Sequence, residues 1–239
     1  MSSSIRAALL LLPLALVGCN RTETANGPVT TTQQRDVQPF TRINVQGGIR
    51  VTLTTGQRNV AITGSQNLLA NVDLTVEDGV LMVRAANGVT LEPARSVTLQ
   101  VSNDVLQGAE VSGNSQLTAD ATRADEWTLK ASATSAVAIS RIDASRLNID
   151  ASTGARIDVF GTATDIDVKV SGVSRVNAQG VSAMNVRVDA SDDAELLLNA
   201  SGSATGNASG RSTVNVAGNP QTQSIESSGA AQVTYDALQ

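Results

Sequence analysis

Apolar and polar residues alternate along most of this chain, and from about Val111 onward the alternation is organised by a recurring serine. Alternation with a period of two is typical of β-strands that bury one face. The serine returns every 18 to 20 residues, so this part of the chain is an internal repeat. It stands at Ser112, Ser132, Ser152, Ser171, Ser191, Ser209 and Ser228.

Alignment of the repeats on this serine separates buried from exposed positions. The fifth residue after the serine is apolar in every repeat: Leu117, Val137, Ile157, Val176, Leu196, Val214 and Val233. Each repeat is therefore two short strands around a corner, and its apolar face can be buried only by stacking on its neighbours. The pattern predicts an all-β fold, a right-handed parallel β-helix of about 20-residue turns that lie about 4.8 Å apart.

The predicted stacking places charges of alternating sign in one outward file. Two residues before the first five serines stand Glu110, Lys130, Asp150, Lys169 and Asp189. We call this file the charge ladder and expect it to help set the register of the turns, because opposite charges favour facing each other across strands. The alternative is that the alternation of signs arose by chance among surface positions.

Between Phe40 and about Val101 the chain alternates without the 20-residue period. Asp78-Gly79 lies between two strand-like segments and predicts a hairpin turn, since both residue types tolerate positive φ. Gly47-Gly48 is expected to turn the first pair of strands in the same way. The region therefore predicts an irregular, hairpin-containing N-terminal cap over the first turn.

The motifs of this region resemble a known family. Phe40-x-x-Ile43-x-Val45-x-Gly-Gly-Ile49-x-Val51, then Gly64-Ser-Gln-Asn-Leu68-Leu69, then Asp78-Gly79-x-Leu81-x-Val83, precede the serine and glycine repeat. Together they resemble the family called putative auto-transporter adhesin, head GIN domain, over about residues 38–236. The resemblance implies a β-repeat fold and a role in adhesion, and it carries no catalytic signature and no defined ligand.

The first residues predict an export signal. Residues 1–18 have one positive side chain, Arg6, followed by a short apolar stretch that is too brief to span a bilayer. Leu16-Val17-Gly18-Cys19 resembles the cleavage site of a bacterial lipoprotein signal, which implies lipidation of Cys19 and a membrane anchor. Asn20 is not the aspartate typical of inner-membrane retention, so the resemblance implies an outer-membrane lipoprotein. The alternative is a secreted protein with a stray cysteine.

These assignments divide the chain into a signal peptide (1–18), a lipidated flexible tether (19–38) and a β-helix domain (39–239). The tether is rich in Thr, Gln and Asn and contains little that could be buried. Loss of the signal takes the net charge from −5 to −6, because Arg6 is the only charged residue removed. This acidity argues against nucleic acid as a partner, so contact with a membrane should depend on the acyl chains.

Residues suited to catalysis or metal binding are scarce. The chain has no histidine and a single cysteine, which removes the commonest general base and most transition-metal ligands. Lys130 with Ser132, or Lys169 with Ser171, could form Ser-Lys pairs, but the alignment makes each serine a corner residue. Asp192, Asp193 and Glu195 form the densest acidic cluster, which is either a weak cation site or a solvated turn. We expect no cofactor, no metal and no catalytic residue.

Two aromatic residues differ in their predicted roles. Trp127 shares an inward position with Leu147, Ile166 and Val186, so it should belong to the core. Phe160 takes an outward position held elsewhere by Asp120, Ser140, Gln179, Asn199 and Asp236, where it either contacts a partner or is covered by a loop.

The favoured hypothesis is a non-enzymatic lipoprotein of the cell envelope that presents a rigid β-helix as a binding or adhesion surface for a protein or glycan. A structural component that assembles through the C-terminal end of the β-helix is the first alternative. A polysaccharide-active enzyme is the second, since parallel β-helices include such enzymes. Oligomeric state separates the first two, and a glycan array with a hydrolysis screen tests the third.

Overall fold

A computed structural model describes residues 21–27 and 30–236 of the chain. The N-terminal elements are β1 (Arg21–Thr24), β2 (Thr31–Gln34), β3 (Arg42–Val45), β4 (Arg50–Thr54), β5 (Asn59–Gly64), α1 (Gln66–Leu69), β6 (Val72–Glu77), β7 (Val80–Ala85), β8 (Val89–Glu92) and β9 (Thr98–Ser102). The repeat supplies β10 (Gly108–Val111), β11 (Gln116–Ala119), β12 (Thr122–Ala131), β13 (Ala136–Ala151), β14 (Arg156–Val170), β15 (Arg175–Ala190), β16 (Glu195–Ala208), β17 (Thr213–Ala217), β18 (Thr222–Ser227) and β19 (Gln232–Asp236).

The repeat forms a parallel β-helix of about six turns with about 20 residues per turn, which confirms the predicted fold. Each turn pairs in parallel with the next, in the register of the serine alignment. The apolar residues five positions after the serines form one unbroken file of Cα partners: Leu117, Val137, Ile157, Val176, Leu196, Val214 and Val233. All of these except Val233, in the last turn, are buried.

The core is the column enclosed by the turns, and Trp127 lies at its N-terminal end. This side chain is fully buried and its indole N–H donates to the Leu106 carbonyl at 3.1 Å. Its file continues through Leu147, Ile166 and Val186, as predicted. Trp127 therefore fills the core and joins the first regular turns to the loop that precedes them.

The corners of the turns contain a second serine that the sequence analysis missed. Ser115, Ser135, Ser174 and Ser212 lie three residues after a recurring serine and are buried. The Ser174 Oγ accepts hydrogen bonds from the backbone N–H groups of Gly154 and Ala155, both at 3.2 Å. The repeats have only Ser or Ala at this position, a signal visible in the alignment. The hydroxyls of Ser115, Ser135 and Ser174 satisfy backbone groups that the corner would otherwise bury without partners, whereas the Ser212 Oγ has no hydrogen-bond partner.

The predicted cap is present, with a chain path that the sequence did not reveal. β3 and β4 stack on β10 and β11, and β7 and β9 then stack on the other side of β3 and β4. Beyond them the pairing becomes antiparallel: β6 with β7, β5 with β9, and β2 with β5. Antiparallel strands thus close this end, which we call the capped end.

One of the two predicted hairpin turns is confirmed. Asp78 and Gly79 have φ of 49° and 73° and join the paired strands β6 and β7. Gly47 and Gly48 also have positive φ, but the strands they join, β3 and β4, pair with other turns and not with each other. Gly47-Gly48 is a corner of the β-helix, so the hairpin expected there was wrong. Both uses require the same backbone conformation, which is why the dipeptide alone could not separate them.

The segment assigned to a flexible tether contains two strands. β1 pairs in parallel with β8, and β2 pairs antiparallel with β5. Backbone hydrogen bonds to a neighbouring strand need no apolar side chains, so the polar composition of residues 19–38 gave no sign of them. The signal peptide and Cys19 lie outside the described residues. Within the part that is described, no helix has the length and apolar character needed to cross a membrane.

Candidate binding groove on the ladder face

The charge ladder lies on one outer face of the β-helix. Glu110, Lys130, Asp150, Lys169 and Asp189 are successive Cα partners, and all five side chains are exposed. We call the outer surface of residues 42–45, 108–111, 126–131, 146–151, 165–170 and 185–190 the ladder face. Among the ladder residues, only Lys169 and Asp189 approach within 4.0 Å, with a separation of 3.9 Å between Nζ and Oδ2. A pair this exposed contributes at most about 1 kcal/mol.

A second file of outward residues runs beside the ladder and contains Thr128, Asn148, Asp167 and Arg187. In the repeat this file begins at Gly108, where an added Cβ would lie 2.7 Å from the Thr128 carbonyl oxygen. A larger residue could not be accommodated there without a shift of the backbone. Because the glycine has no side chain, nothing projects from the surface at this position between the capped end and the repeat.

Three adjoining cavities lie along the ladder face, with volumes of about 310, 570 and 150 Å³. Thr128 borders all three, and we call the three cavities together the ladder groove. It runs from Arg42 in the capped end to Arg187 and Asp189 in the repeat. Cavities of this combined size are large enough for part of a polymer or for protein side chains.

Charged side chains in the ladder groove are left without protein partners. Within the described chain, Lys130, Asp150, Asp167 and Arg187 make no side-chain hydrogen bond or ion pair. The cavity of about 310 Å³, which Lys169 and Asp189 also border, has three basic and three acidic residues around it. This cavity is balanced in charge, whereas the linings of all three cavities together hold five basic and seven acidic residues. The four charged groups without partners are free to contact a ligand.

The neighbouring face differs in this respect. We call the outer surface of residues 50–54, 116–119, 136–139, 156–159, 175–178 and 195–198 the second face. Arg175 donates to Glu195 at 2.9 Å, and the Arg156 Nε lies 3.2 Å from an Asp158 oxygen. These charges are neutralised by contacts within the protein, so the second face offers less to a partner.

Phe160 is exposed, as one of the two sequence alternatives expected, with 48% of its surface accessible. A bulge shifts the register between Asp158 and Phe160, so Phe160 faces Gly180 and not Gln179 as the alignment had predicted. A Cβ on Gly180 would come within 2.2 Å of the Phe160 ring. The ring therefore lies over the glycine, and it does not border the ladder groove.

The acidic corner is occupied by protein donors. The Asp192 carboxylate accepts from the Gly172 N–H at 3.0 Å, and Arg211 makes two hydrogen bonds to Asp193, at 2.6 and 2.7 Å. The hydrogen bonds from Arg211 lower the pKa of Asp193 below its ordinary value. With Glu195 paired to Arg175, each acid of the corner has its own partner. Nowhere in residues 21–27 and 30–236 do three or more Asp, Glu, His or Cys side chains form a metal-binding group.

The geometry defines a class of protein: a capped β-solenoid with an open groove of mixed charge along one face. The family model described as "Putative auto-transporter adhesin, head GIN domain" matches residues 39–220. The chain belongs to this family, which confirms the resemblance found in the sequence. No curated protein matches the chain.

Solved structures share the fold. A "putative adhesin" from Bacteroides fragilis superposes with a TM-score of 0.82 at 17% identity, covering 87% of this chain and 98% of that one. A "putative lipid binding protein" from Parabacteroides distasonis has a TM-score of 0.69 at 16% identity, with 89% and 99% covered. A "putative adhesin" from Parabacteroides merdae has a TM-score of 0.65 at 16% identity, with 92% and 100% covered. At such identities the likeness shows the fold alone.

Proposed function

We propose that this protein is a non-enzymatic lipoprotein of the outer membrane that is anchored through Cys19 and binds a protein partner in the ladder groove. The observation that carries the proposal is the groove itself, a set of adjoining cavities in which Lys130, Asp150, Asp167 and Arg187 lack partners among the described residues. The names of the family and of its structural neighbours, most of them adhesins, agree with a binding role.

The chemistry of the groove favours a protein surface of mixed charge as the partner. Its lining holds five basic and seven acidic residues, so a polyanion such as nucleic acid gains little there. Sugar recognition depends heavily on aromatic platforms, and no aromatic side chain borders the groove. Complementary charges on a partner would fix the orientation of the complex and raise the rate of association more than they would raise its affinity.

The binding proposal is tested with charge reversals on the two sides of the molecule. Beads coated with the chain are measured on immobilised matrix proteins (collagen, fibronectin and laminin) and on a glycan array. The groove variant combines Lys130→Glu with Arg187→Glu. The control combines Arg58→Glu with Arg141→Glu, two exposed arginines away from the groove that have no ion-pair partner among the described residues. The control changes the net charge by the same amount.

We expect the groove variant to bind a matrix protein about tenfold more weakly, a loss of about 1.4 kcal/mol, while the control binds like the unmodified chain. Equal binding by the two variants would contradict the groove. If the chain bound the glycan array and not the matrix proteins, the proposed partner would be a carbohydrate and not a protein.

The anchor is tested separately by detergent phase partition. The mature chain should enter the detergent phase, and Cys19→Ala should move it to the aqueous phase, because three acyl chains on one residue exceed what lasting attachment needs. A mature chain that stays in the aqueous phase would contradict lipidation. The lipid-binding name of one structural neighbour does not replace this test, because it refers to that protein.

A second candidate function is assembly through the last turn. β18 and β19 each pair with a preceding turn and have no partner on their outer edge among the described residues. Inward-facing Ile225 and Val233 there are only partly buried. Unpaired strand edges of this kind can template pairing with another chain. Sedimentation at several concentrations tests this function, and a strict monomer would exclude it.

A polysaccharide-active enzyme is the least supported candidate. Asp192, Asp193 and Glu195, the densest acidic cluster, are bound by protein donors as described above. A hydrolysis screen on polysaccharide substrates, run beside the glycan array, should detect no product. Release of reducing sugar above the rate of a heat-denatured control would contradict the non-enzymatic proposal.

A further inference from the structure

The first residues that the structure describes belong to the folded capped end. In β1, the Arg21 N–H donates to the Gly88 carbonyl at 2.5 Å, and just after it the Ala25 N–H donates to Glu92 at 2.7 Å. The Asn67 side chain, in α1, donates to the Thr24 carbonyl at 2.8 Å. β1 is therefore held by β8 on one side and by the short helix on another.

This arrangement leaves little chain between the anchor and the fold. Only Asn20 separates Cys19 from Arg21 in the sequence. Two residue steps of fully extended chain span at most about 7 Å, so a lipidated Cys19 would keep β1 close to the headgroups. A flexible tether of residues 19–38 would instead have averaged about 25 Å end to end.

β1 also identifies which end of the β-helix is near the anchor. Its partner β8 lies in the chain between β7 and β9, the two strands on which the antiparallel cap is built. The opposite end, formed by β18 and β19, is eight strand spacings away from β7 and β9. At about 4.8 Å per spacing this corresponds to about 38 Å along the axis.

Charge is distributed unequally between the same two ends. Residues 21–104 contain seven arginines and seven acidic residues, so this part of the chain is neutral. Residues 105–236 contain nine basic and fifteen acidic residues, a net charge of −6. An anionic lipid surface repels the acidic part and tolerates the neutral part.

We propose that the capped end rests on the lipid surface that holds Cys19, with the axis of the β-helix upright and the last turn farthest from the membrane. The proposal rests on the anchor proposed above. In the upright orientation most acidic turns lie more than about 8 Å from the lipid surface. At that distance physiological salt screens most of their repulsion from anionic headgroups. A β-helix lying on its side would bring its acidic turns within that distance.

The upright orientation gives the ladder groove a defined exposure. The groove extends from Arg42 toward Asp189, along the axis of the turns, so its far part is lifted away from the lipid. A partner would therefore meet the repeat before the cap.

The orientation is measured on the full lipidated chain in vesicles of phosphatidylethanolamine and phosphatidylglycerol. Acylation blocks the Cys19 thiol, so nitroxide labels can be placed on single new cysteines at Asn87→Cys, in the capped end, or Thr234→Cys, in the last turn. Both positions are exposed. The readout is the relaxation of each label by a nickel chelate carried on a lipid headgroup.

We expect relaxation to be severalfold stronger at Asn87→Cys than at Thr234→Cys. A matched variant with ten Gly-Ser residues inserted between Asn20 and Arg21 should reduce this difference, because such a coil averages about 17 Å. Equal relaxation at the two sites in the unmodified chain, or stronger relaxation at Thr234→Cys, would overturn the upright orientation.

Flotation separates failure of the orientation from failure of the anchor. The lipidated chain should float with the vesicles, and Cys19→Ala should remain at the bottom of the gradient. A chain that does not float contradicts the anchor, and the orientation with it. A chain that floats but shows equal relaxation at both sites contradicts the orientation alone.

Discussion

The capped end and the repeated turns use the same strands in different ways. In the repeat, each residue meets its counterpart about 20 positions away, so a single alignment assigns every face. In the capped end, β3 pairs with β7 and β10, strands that lie far apart in the chain and share no repeated position. The comparison shows that periodic stacking lets the buried and exposed positions be assigned from the sequence. The strand pairings of the cap, by contrast, can be seen only in the folded chain.

The substitution with the largest expected effect lies at the junction of the two regions. Trp127→Ala removes a fully buried side chain and its hydrogen bond to Leu106, which belongs to the loop that joins cap and repeat. We expect a loss of about 3–5 kcal/mol in the free energy of unfolding, measured with denaturant. Phe160→Ala, at an exposed aromatic, should cost about 1 kcal/mol or less. Equal losses would show that Trp127 does not join the regions.

Two glycines with positive φ provide the next test. An added Cβ at Gly206, in the repeat, would lie 1.9 Å from the Val188 carbonyl oxygen of the neighbouring turn. At Gly79, in the cap hairpin, nothing lies within 4 Å. Gly206→Ala should therefore cost about 3 kcal/mol, from overpacking added to backbone strain. Gly79→Ala should cost about 1–2 kcal/mol, from the backbone conformation alone. A smaller loss for Gly206→Ala by chemical denaturation would contradict the close stacking of turns.

A corner of the repeat can also be given residues that suit positive φ, as the hairpin turn of the cap already has. Ala133 and Thr134 both have positive φ, 51° and 58°, a conformation that side chains with a Cβ disfavour. Replacing them with Asn and Gly supplies residues suited to this turn, and we expect a gain of about 1 kcal/mol in thermal or chemical unfolding. An unchanged or lower stability would show that the corner is not strained in solution.

The smallest expected effect concerns the exposed pair of Arg211 and Asp193. Because the pKa of Asp193 is lowered in the folded chain, the pair contributes stability above the carboxylate's unfolded pKa and loses it as pH falls through the folded pKa. Arg211→Gln should return the Asp193 pKa toward its ordinary value, followed by NMR titration of the carboxyl carbon. A midpoint unaffected by the substitution would mean that the pair is not formed.

Much of the repeat could be predicted from sequence because its signals are local and recur. The apolar file from Leu117 to Val214, the core position of Trp127 and the order of charges from Glu110 to Asp189 all follow from one alignment. The position of the bulge at Phe160 could not be predicted. The spacing of the serines changes from 19 to 20 residues across this turn, but the alignment does not show which residue takes up the difference. The bulge lies beside Gly180, whose missing side chain makes room for the ring.

The cap and the groove were less accessible to sequence reasoning. β1 and β2 are held by backbone hydrogen bonds, which leave no mark on side-chain composition. The groove depends on the juxtaposition of Arg42 with Thr128, and on Gly108 between them, across strands that are distant in sequence. An alignment of the repeat alone does not include Arg42.

The most direct test of the account measures whether equivalent positions stand in vertical files. Pairs of spin labels are placed in the Cys19→Ser chain, first at Glu110 with Asp189 and then at Glu110 with Glu226, all members of one outward file. Four and six turns separate these positions, so electron-electron resonance should give narrow distributions near about 19 and 29 Å. Broad distributions, or a second distance no longer than the first, would contradict the stacked β-helix on which the groove and the upright orientation both depend.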